Sequence, residues 1–295
     1  MAFDPHRLLA LPPIETRHEL TRRDTMLYGL GLGAEDLDFV FEERLQALPT
    51  MAVVLANPGF LWRDPDFGVD WKKVLHGEQQ LELFASLPTE GILRGETTFE
   101  AVYDKGAGKG ALVYSARRIF DESGTHLATD TKCSFLRGDG GCGGTPGPAP
   151  KPHALPEGRV PDVVVDLKTA PNQALIYRLS GDDNPLHIDP EVARAAGFER
   201  PILHGLCTYG VVGRALLSGF ADNQPARLKK MNARFSAPVY PGETIRTEIW
   251  RETNSAFAFR ARVVERDIVV VNNGYGELMP EAVRNDLMIE DKIHA

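Results

Sequence analysis

Residues 205–220, GLCTYGVVGRALLSGF, are nearly all apolar. Their large apolar side chains recur at steps of three and four residues, at Leu206, Tyr209, Val212, Leu216 and Phe220. This spacing predicts a helix, and a helix that is apolar almost all round and too short to cross a bilayer is buried inside a domain. Gly210 and Gly213 each cost a helix roughly 1 kcal/mol relative to alanine. We therefore expect another backbone or a ligand to approach the helix closely at these two positions.

Several segments on either side of this helix predict β-strands, because apolar, β-branched and aromatic residues run or alternate in them. They are residues 96–103, 111–120, 244–250, 256–264 and 268–272. In each half of the chain a proline–glycine turn precedes the strands, at 87–91 and 240–243, and a helical segment precedes the turn, at 24–32 and 172–179. The repetition predicts a duplicated α+β unit in which a curved antiparallel sheet wraps a helix.

The segment from Gly138 to Pro161, GDGGCGGTPGPAPKPHALPEGRVP, separates the two halves. Glycine raises the entropic cost of order, and proline removes backbone donors, so this composition is typical of a linker. We expect a first domain at residues 1–137, a linker at 138–161 and a second domain at 162–295.

Composition excludes several classes of protein. The 295 residues carry 33 basic and 41 acidic side chains, a formal net charge of −8, which does not favour binding to nucleic acid. No stretch approaches the roughly 18 apolar residues that a membrane span requires, and the amino terminus lacks the pattern of a signal peptide. The 3 cysteines are sparse and odd in number, which indicates reduced thiols and a cytoplasmic location.

The segment most able to carry chemistry is SGDDNPLH at residues 180–187. Asp182 and His187 lie on either side of a strong turn, so their side chains can converge on one water molecule and move its protons. Asn184 can hold that water or orient the imidazole. Such turns are also common without function, and on spacing alone the structural interpretation is the more frequent one. Asp189 followed by proline predicts the start of a short helix at 190–196.

The start of the buried helix, around His204 and Gly205, has no Ser, Thr, Asp or Asn to cap it. Its first amide groups are then available to a ligand oxygen, which would make an oxyanion hole. A water or a neighbouring loop is the simpler alternative. We interpret His204 as a structural residue.

These residues together resemble a known pattern. Ser180 to His187, followed by AAGF at 195–198 and PILHGL at 201–206, is similar to the hydratase 2 motif of the MaoC-like (R)-specific 2-enoyl-CoA hydratases. Further segments, at 23–28, 75–79, 103–106 and 233–242, resemble the eukaryotic-type members, so the similarity extends over nearly the whole chain.

The resemblance implies a double hot-dog fold in which each half is a long helix wrapped by a sheet, and generally a homodimer. The second repeat would carry the motif, and the first would accommodate the acyl chain. The implied reaction is reversible hydration of a trans-2-enoyl-CoA to a (3R)-3-hydroxyacyl-CoA. Asp182 and His187 would be the acid/base pair, supported by Asn184, and the amide of Gly205 would stabilise the enolate oxygen.

By the same resemblance, substrate contacts would fall on His76, Gly77, Lys105 and Phe235. Each has a simpler interpretation: a structural histidine, a solvated hairpin lysine, or a core phenylalanine. Lys229 and Lys230 are weaker candidates for binding the CoA phosphates. No metal or cofactor is expected, because His187, Asp189, His204 and Cys207 have no standard ligand spacing and no nucleotide-binding glycine motif follows a strand.

Three rival functions are compatible with much of the sequence. A hot-dog thioesterase would hydrolyse the thioester, but the order Asp, Asn, His in one loop argues against it. A 3-hydroxyacyl-carrier-protein dehydratase would need a basic docking patch, which the overall charge does not indicate. A non-catalytic acyl-CoA-binding protein would not need the intact pair of Asp182 and His187.

Overall fold

A single antiparallel sheet organises the molecule, for which we use a computed structural model that describes residues 2–279. Its ten strands are β1 (Ile14–Leu20), β2 (Val74–Leu83), β3 (Gly91–Asp104), β4 (Ala111–Asp121), β5 (His126–Leu136), β6 (Val163–Lys168), β7 (Leu228–Phe235), β8 (Thr244–Arg251), β9 (Ala256–Val263) and β10 (Ile268–Leu278). They lie in the order β1-β3-β4-β5-β2-β7-β10-β9-β8-β6.

The strand order shows the duplication directly. Read outward from the junction of β2 and β7, the first half runs 2-5-4-3-1 and the second runs 7-10-9-8-6. Each strand of the first half thus has a counterpart five strands later in the chain, and every neighbouring pair is antiparallel. The duplicated unit predicted from sequence is therefore present.

The helices are few, and one of them dominates the core. They are α1 (Pro5–Leu9), α2 (Arg22–Gly31), α3 (Leu37–Val40), α4 (Gln173–Tyr177), α5 (Pro190–Ala195) and α6 (Gly205–Phe220). The bounds of α6 are those predicted, and its apolar face packs on the inner side of β6, β7 and β8. Within residues 2–279, no helix is long and apolar enough to cross a membrane.

Gly210 and Gly213 of α6 are sites of close approach, as predicted. A Cβ added at Gly210 would lie 2.5 Å from Cδ2 of Leu32, and one at Gly213 would lie 2.5 Å from Cγ2 of Thr50. The approaching groups are side chains from the first half of the chain, rather than backbone or ligand. The glycines thus let the first repeat pack directly against the central helix of the second.

The centre of the first repeat differs from the expectation of a long helix in each half. Among the described residues before the linker the longest helix is the ten-residue α2, and the short 3-10 turn Pro49–Val53 occupies the core beside β2, β5 and α6. Proline at the start of that turn and the lack of any side-chain cap are consistent with a short element. The expectation of a long helix in the first half is therefore wrong.

A buried ion pair holds this short turn in place. Arg117 of β4 donates to Asp130 of β5 at 2.6 Å and to the carbonyl oxygens of Ala52 and Val53 at 3.1 and 2.9 Å. Both charged side chains are at most 3% exposed. The guanidinium therefore satisfies the carbonyls at the end of the turn, which a longer helix would have satisfied internally.

The glycine- and proline-rich segment contains no helix or strand, and its first part is anchored to the hairpin between β3 and β4. The carboxylate of Asp104 accepts hydrogen bonds from the amides of Gly106, Gly141 and Gly143, which hold the pKa of Asp104 below its usual range. The domain bounds at 137 and 162 stay a prediction.

Candidate active site

The loop that carries the candidate acid/base pair, Asp182 and His187, begins where α4 ends. A 3-10 turn over Arg178–Ser180 continues that helix and stops at Gly181, whose φ of +110° is a conformation that side chains other than glycine rarely adopt. The chain then turns back, and Asn184 caps the next turn, Pro185–His187, by accepting from the amide of Leu186 at 3.1 Å. Asn184 therefore contributes by shaping the turn that presents His187.

The tautomer of His187 is fixed by a backbone contact. Its Nδ1 lies 2.9 Å from the carbonyl oxygen of Ile202, and because a carbonyl only accepts, Nδ1 carries the proton in the neutral ring. The lone pair of Nε2 is then the one that can accept a proton. This is the arrangement that a general base requires.

Asp182, His187 and His204 converge on one small region. A carboxylate oxygen of Asp182 and one ring nitrogen from each histidine all lie within 4.8 Å of one another. A water molecule that makes two hydrogen bonds of ordinary length joins atoms about 4.5 Å apart. The convergence of Asp182 and His187 on one water, expected from the loop, is therefore geometrically possible.

Within residues 2–279, these three side chains are also spaced closely enough to bind a metal ion. One nitrogen of each ring already faces a carbonyl, Ile202 for His187 and Asp182 for His204. The rings stack with centroids 3.8 Å apart and planes at 31°. Nε2 of His187 and Nδ1 of His204 are therefore the ring nitrogens that do not face these carbonyls.

Burial tunes both imidazoles toward the neutral form. Desolvation lowers the pKa of His187 below 6.5, against the opposing effects of its contact with Ile202 and the charge of Asp182. Desolvation, with His187 as the next cause, lowers the pKa of His204 to about 4. Both rings are therefore neutral near pH 7, and His187 is available as a base.

The tip of α6 lies beside this pair. His204 occupies the N-cap position without making a cap hydrogen bond, and Gly205 is exposed although most of the helix is buried. A Cβ added at Gly205 would lie 3.6 Å from the ring of Phe235, so that ring forms the adjacent wall. Exposed, uncapped amides at a helix start attract a developing negative charge.

The first repeat contributes the next wall. The ring of His76 in β2 meets that of Phe235 edge to face, with centroids 5.0 Å apart, and Nε2 of His76 lies 3.1 Å from the carbonyl oxygen of Glu78. Desolvation lowers the pKa of His76 to about 4. Gly77 lies where the register of β2 against β5 shifts, between His76 and Glu78. His76, Phe235 and Gly205 thus form a continuous surface across the junction of the repeats.

Lys105 lies apart from the acid/base pair. It is exposed on the β3–β4 hairpin, with Nζ 5.0 Å from the ring centre of Phe135. Phe135 pairs across the strands with Leu75, the residue before His76, so Lys105 lies at the same end of the sheet as the site. The structure does not bring Lys229 and Lys230 to this region.

Both of those lysines lie in ion pairs at the opposite end of β7 from Phe235. Lys229 is 3.4 Å from Glu277, and Lys230 is 3.2 Å from Glu82. Their positive charges are therefore directed at neighbouring carboxylates within the sheet.

Lys132 of β5 is a charged residue near the site that the sequence did not single out. It shares a strand face with buried Asp130, and its partner on the neighbouring strand is buried Gln79. Desolvation and the charge of Arg117 lower the pKa of Lys132 to about 8, while the charges of Asp130 and Asp182 act in the opposite direction. Alternation in β5 places Asp130 and Lys132 on one face, but it does not say which face is inside.

His204, for which the sequence favours a structural role, stacks its ring on that of His187. Its place directly before Gly205, at the start of the buried helix, is the signal that the sequence offers for this contact.

The fold and the site together define a double hot-dog protein with one acid/base loop, placed at the tip of the only long helix in residues 2–279. Residues 18–138 match the MFE-2 hydratase 2 N-terminal domain, and residues 153–273 match the MaoC like domain. A relative named probable enoyl-CoA hydratase 2, from Dictyostelium discoideum, is 41% identical over 92% of this chain and 94% of its own. The chain belongs to the MaoC-like hydratase 2 family.

Solved structures agree with this assignment. The MaoC-like dehydratase from Phytophthora capsici is 38% identical, with a TM-score of 0.86 over 94% of this chain and 99% of its own. A Mycobacterium tuberculosis protein described as having a double hotdog fold is 15% identical, with a TM-score of 0.57 over 91% of this chain and 96% of its own, and this likeness concerns the fold alone.

Proposed function

We propose that the protein catalyses the reversible hydration of trans-2-enoyl-CoA to (3R)-3-hydroxyacyl-CoA. The observation that carries this proposal is the position of Asp182 and His187, whose polar atoms lie within 4.8 Å of each other beside the exposed amide of Gly205. An acid, a base and a helix tip are the three elements that addition of water to a conjugated thioester needs. The enoyl-CoA hydratase name of the Dictyostelium relative supports the substrate class.

In this reaction His187 is the base. Its Nε2 accepts a proton as the water oxygen forms a bond to C3 of the enoyl group, and the electrons of the C2–C3 double bond move onto the thioester oxygen. The proton then passes from His187 to the carboxylate of Asp182, which delivers it to C2. One water is consumed, its hydroxyl is on C3, and both side chains return to their starting states.

The thioester oxygen carries the negative charge of the intermediate. The amide of Gly205 donates to it, and the dipole of the sixteen-residue α6 adds to the attraction. Removal of a single oxyanion donor typically costs about a hundredfold to a thousandfold in kcat in other enzymes.

The substrate lies across the junction of the repeats in this proposal. His76, Gly77 and Phe235 contact the thioester end, and Lys105 faces the CoA phosphates. The first repeat, at residues 1–137, receives the acyl chain. Its short central turn in place of a long helix supports this role, because short elements cover less of the inner sheet face. Residues 138–161 form the linker, and 162–295 form the catalytic repeat.

We also place the protein in the cytoplasm as a homodimer. The free state of all three cysteines is consistent with a reducing compartment. Exposed leucines on two helical segments that pack together, Leu30 of α2 with Leu175 and Leu179 around α4, support a contact with a second copy. Light scattering of the purified protein tests the dimer, which predicts twice the chain mass of 32.5 kDa.

The decisive experiment for the activity is incubation with crotonyl-CoA. We expect the absorbance of the conjugated thioester to fall without release of free thiol, and chiral analysis to find the (3R) product. Release of thiol would identify a thioesterase instead. Binding of the substrate without any loss of absorbance would identify a non-catalytic binding protein, and activity confined to carrier-protein thioesters would identify the carrier-protein dehydratase.

A further inference from the structure

His204 touches both members of the acid/base pair. Its ring is fully buried, its Nε2 lies 3.2 Å from the backbone carbonyl oxygen of Asp182, and its face stacks on that of His187 with centroids 3.8 Å apart. It is also the residue from which α6 begins. A single side chain therefore links the loop, the base and the helix tip.

The contact with Asp182 fixes the tautomer of His204. Because a carbonyl only accepts, Nε2 carries the proton, and Nδ1 is a buried acceptor without a partner among the residues that the structure describes. A second proton, on Nδ1, would be a buried donor facing no acceptor, which is costly. The ring therefore stays neutral over the range in which His187 changes its charge, consistent with its pKa of about 4.

The surroundings of the two rings are defined on every side. Asp182 raises the pKa of both, whereas His187 and Arg178 lower that of His204. His204 also contacts the ring of Tyr177 from α4, with centroids 5.1 Å apart, which adds apolar surface and no charge. The face of His187 that His204 covers is thereby closed to water by an uncharged group.

We propose that His204 is a positioning residue for the hydration: its N–H anchors the backbone of Asp182, and its ring face orients and desolvates His187. This role rests on the proposed function and goes beyond a structural one, because two separate contacts reach two separate reacting groups. The two contacts make different predictions, so they can be tested apart.

Two substitutions separate the contacts. His204→Gln keeps a side-chain N–H near the position of Nε2 and removes the ring, whereas His204→Phe keeps a ring and removes the donor. With crotonyl-CoA we expect His204→Phe to lower kcat by about tenfold at unchanged KM, the effect of about one net hydrogen bond. We expect His204→Gln to shift the acidic limb of the kcat/KM profile to higher pH, because the pKa of a less desolvated His187 moves up toward 6.5.

A substrate-free measurement distinguishes failure of this inference from failure of the proposed function. NMR titration of the His187 ring needs no turnover, and we expect its pKa to rise in His204→Gln and to change little in His204→Phe. The matched control is Tyr209→Phe in the same helix, which removes a buried hydrogen bond to the carbonyl oxygen of Met231. This control should lower stability while the His187 titration and the pH profile stay those of the wild type.

Several outcomes would overturn the inference. Wild-type kcat and an unshifted His187 titration in folded His204→Gln and His204→Phe would show that neither contact matters. Loss of folding in both variants, with Tyr209→Phe folded, would make His204 a core residue only. If instead the wild type shows no hydration but the titration shifts as expected, the positioning of His187 stands and the proposed reaction is wrong.

Discussion

Nδ1 of His187 donates to the carbonyl oxygen of Ile202 at 2.9 Å, across 15 positions of the chain. Ile202 lies just before the start of α6, so this one hydrogen bond ties the acid/base loop to the segment that leads into the central helix. It also leaves Nε2 as the nitrogen that can accept a proton in the neutral ring of His187. The chemistry of the loop and the position of the helix tip are therefore coupled.

The first prediction concerns Asp182. Asp182→Asn should lower kcat by about a hundredfold to ten thousandfold, the usual contribution of a general acid or base, because the amide cannot deliver the proton to C2. The measurement is loss of crotonyl-CoA absorbance. Asp183→Asn is the matched control, since its side chain is the exposed neighbour in the same turn and should leave the rate unchanged. Equal rates in the two variants would refute the assignment.

The second prediction is a pH dependence. Because burial lowers the pKa of His187, its base form persists below pH 6.5, and the acidic limb of the kcat/KM profile should have its midpoint below that value. The charge of Asp182 raises the pKa of His187, so Asp182→Asn should lower it further in an NMR titration. A midpoint above 6.5, or an upward shift in the variant, would contradict the proposed environment.

The third prediction addresses the CoA moiety. Lys105→Gln should raise the KM for crotonyl-CoA about two- to fivefold, the effect of one exposed ionic contact, and leave kcat unchanged. The KM for a crotonyl-pantetheine thioester, which lacks the nucleotide phosphates, should not change. Lys109→Gln on the same hairpin is the control, because Lys109 is equally exposed but was not placed at the substrate. The same KM change in both variants would indicate general charge attraction instead.

The fourth prediction tests the packing of the repeats. Gly213→Ala should lower the free energy of unfolding by about 1–3 kcal/mol, because the new Cβ meets Cγ2 of Thr50 and overpacking outweighs the gain in helix propensity. Thr50→Ser lacks that methyl, so the double variant should recover most of the loss in denaturant unfolding. Additive losses would show that Thr50 is not the obstacle. Ser218→Ala, at an exposed position of α6, should be neutral or slightly stabilising.

The fifth prediction concerns the buried ion pair of the first repeat. Arg117→Met leaves Asp130 buried without its main partner and should cost about 3–5 kcal/mol in denaturant unfolding. Arg246→Met removes the partner of Asp166 in an ion pair that is 41% exposed on both sides, and it should cost at most about 1 kcal/mol. Comparable losses in the two variants would mean that Arg117 does not organise the turn at 49–53.

Local patterns in the sequence were enough to predict the elements that depend on local physics. The apolar spacing of residues 205–220 gave the bounds of α6, because a buried helix repeats its apolar residues at the helical period. Asp189 caps α5 as expected, accepting from the amide of Glu191 at 2.8 Å. Phe257 and Phe259, which alternation in β9 places on one face, are both fully buried.

Elements without a local signal were harder to predict. The centre of the first repeat was expected to be a long helix and is a 3-10 turn, held by contacts from Arg117 some sixty residues away. Lys132 could not be singled out from the sequence, because alternation shows only which residues share a face of the strand. Whether that face is buried depends on what covers it.

The candidate reacting groups could be named from the sequence alone, since Asp182, Asn184 and His187 lie within one turn whose chemistry is local. Their protonation states and neighbours follow from the tertiary structure. The tautomer of His187 and its stacking on His204 depend on how the loop packs against the segment that leads into α6. The wall formed by His76 and Phe235 depends on contact between the two repeats. Desolvation and tautomer choice are properties of such a packed environment, which no local stretch of sequence specifies.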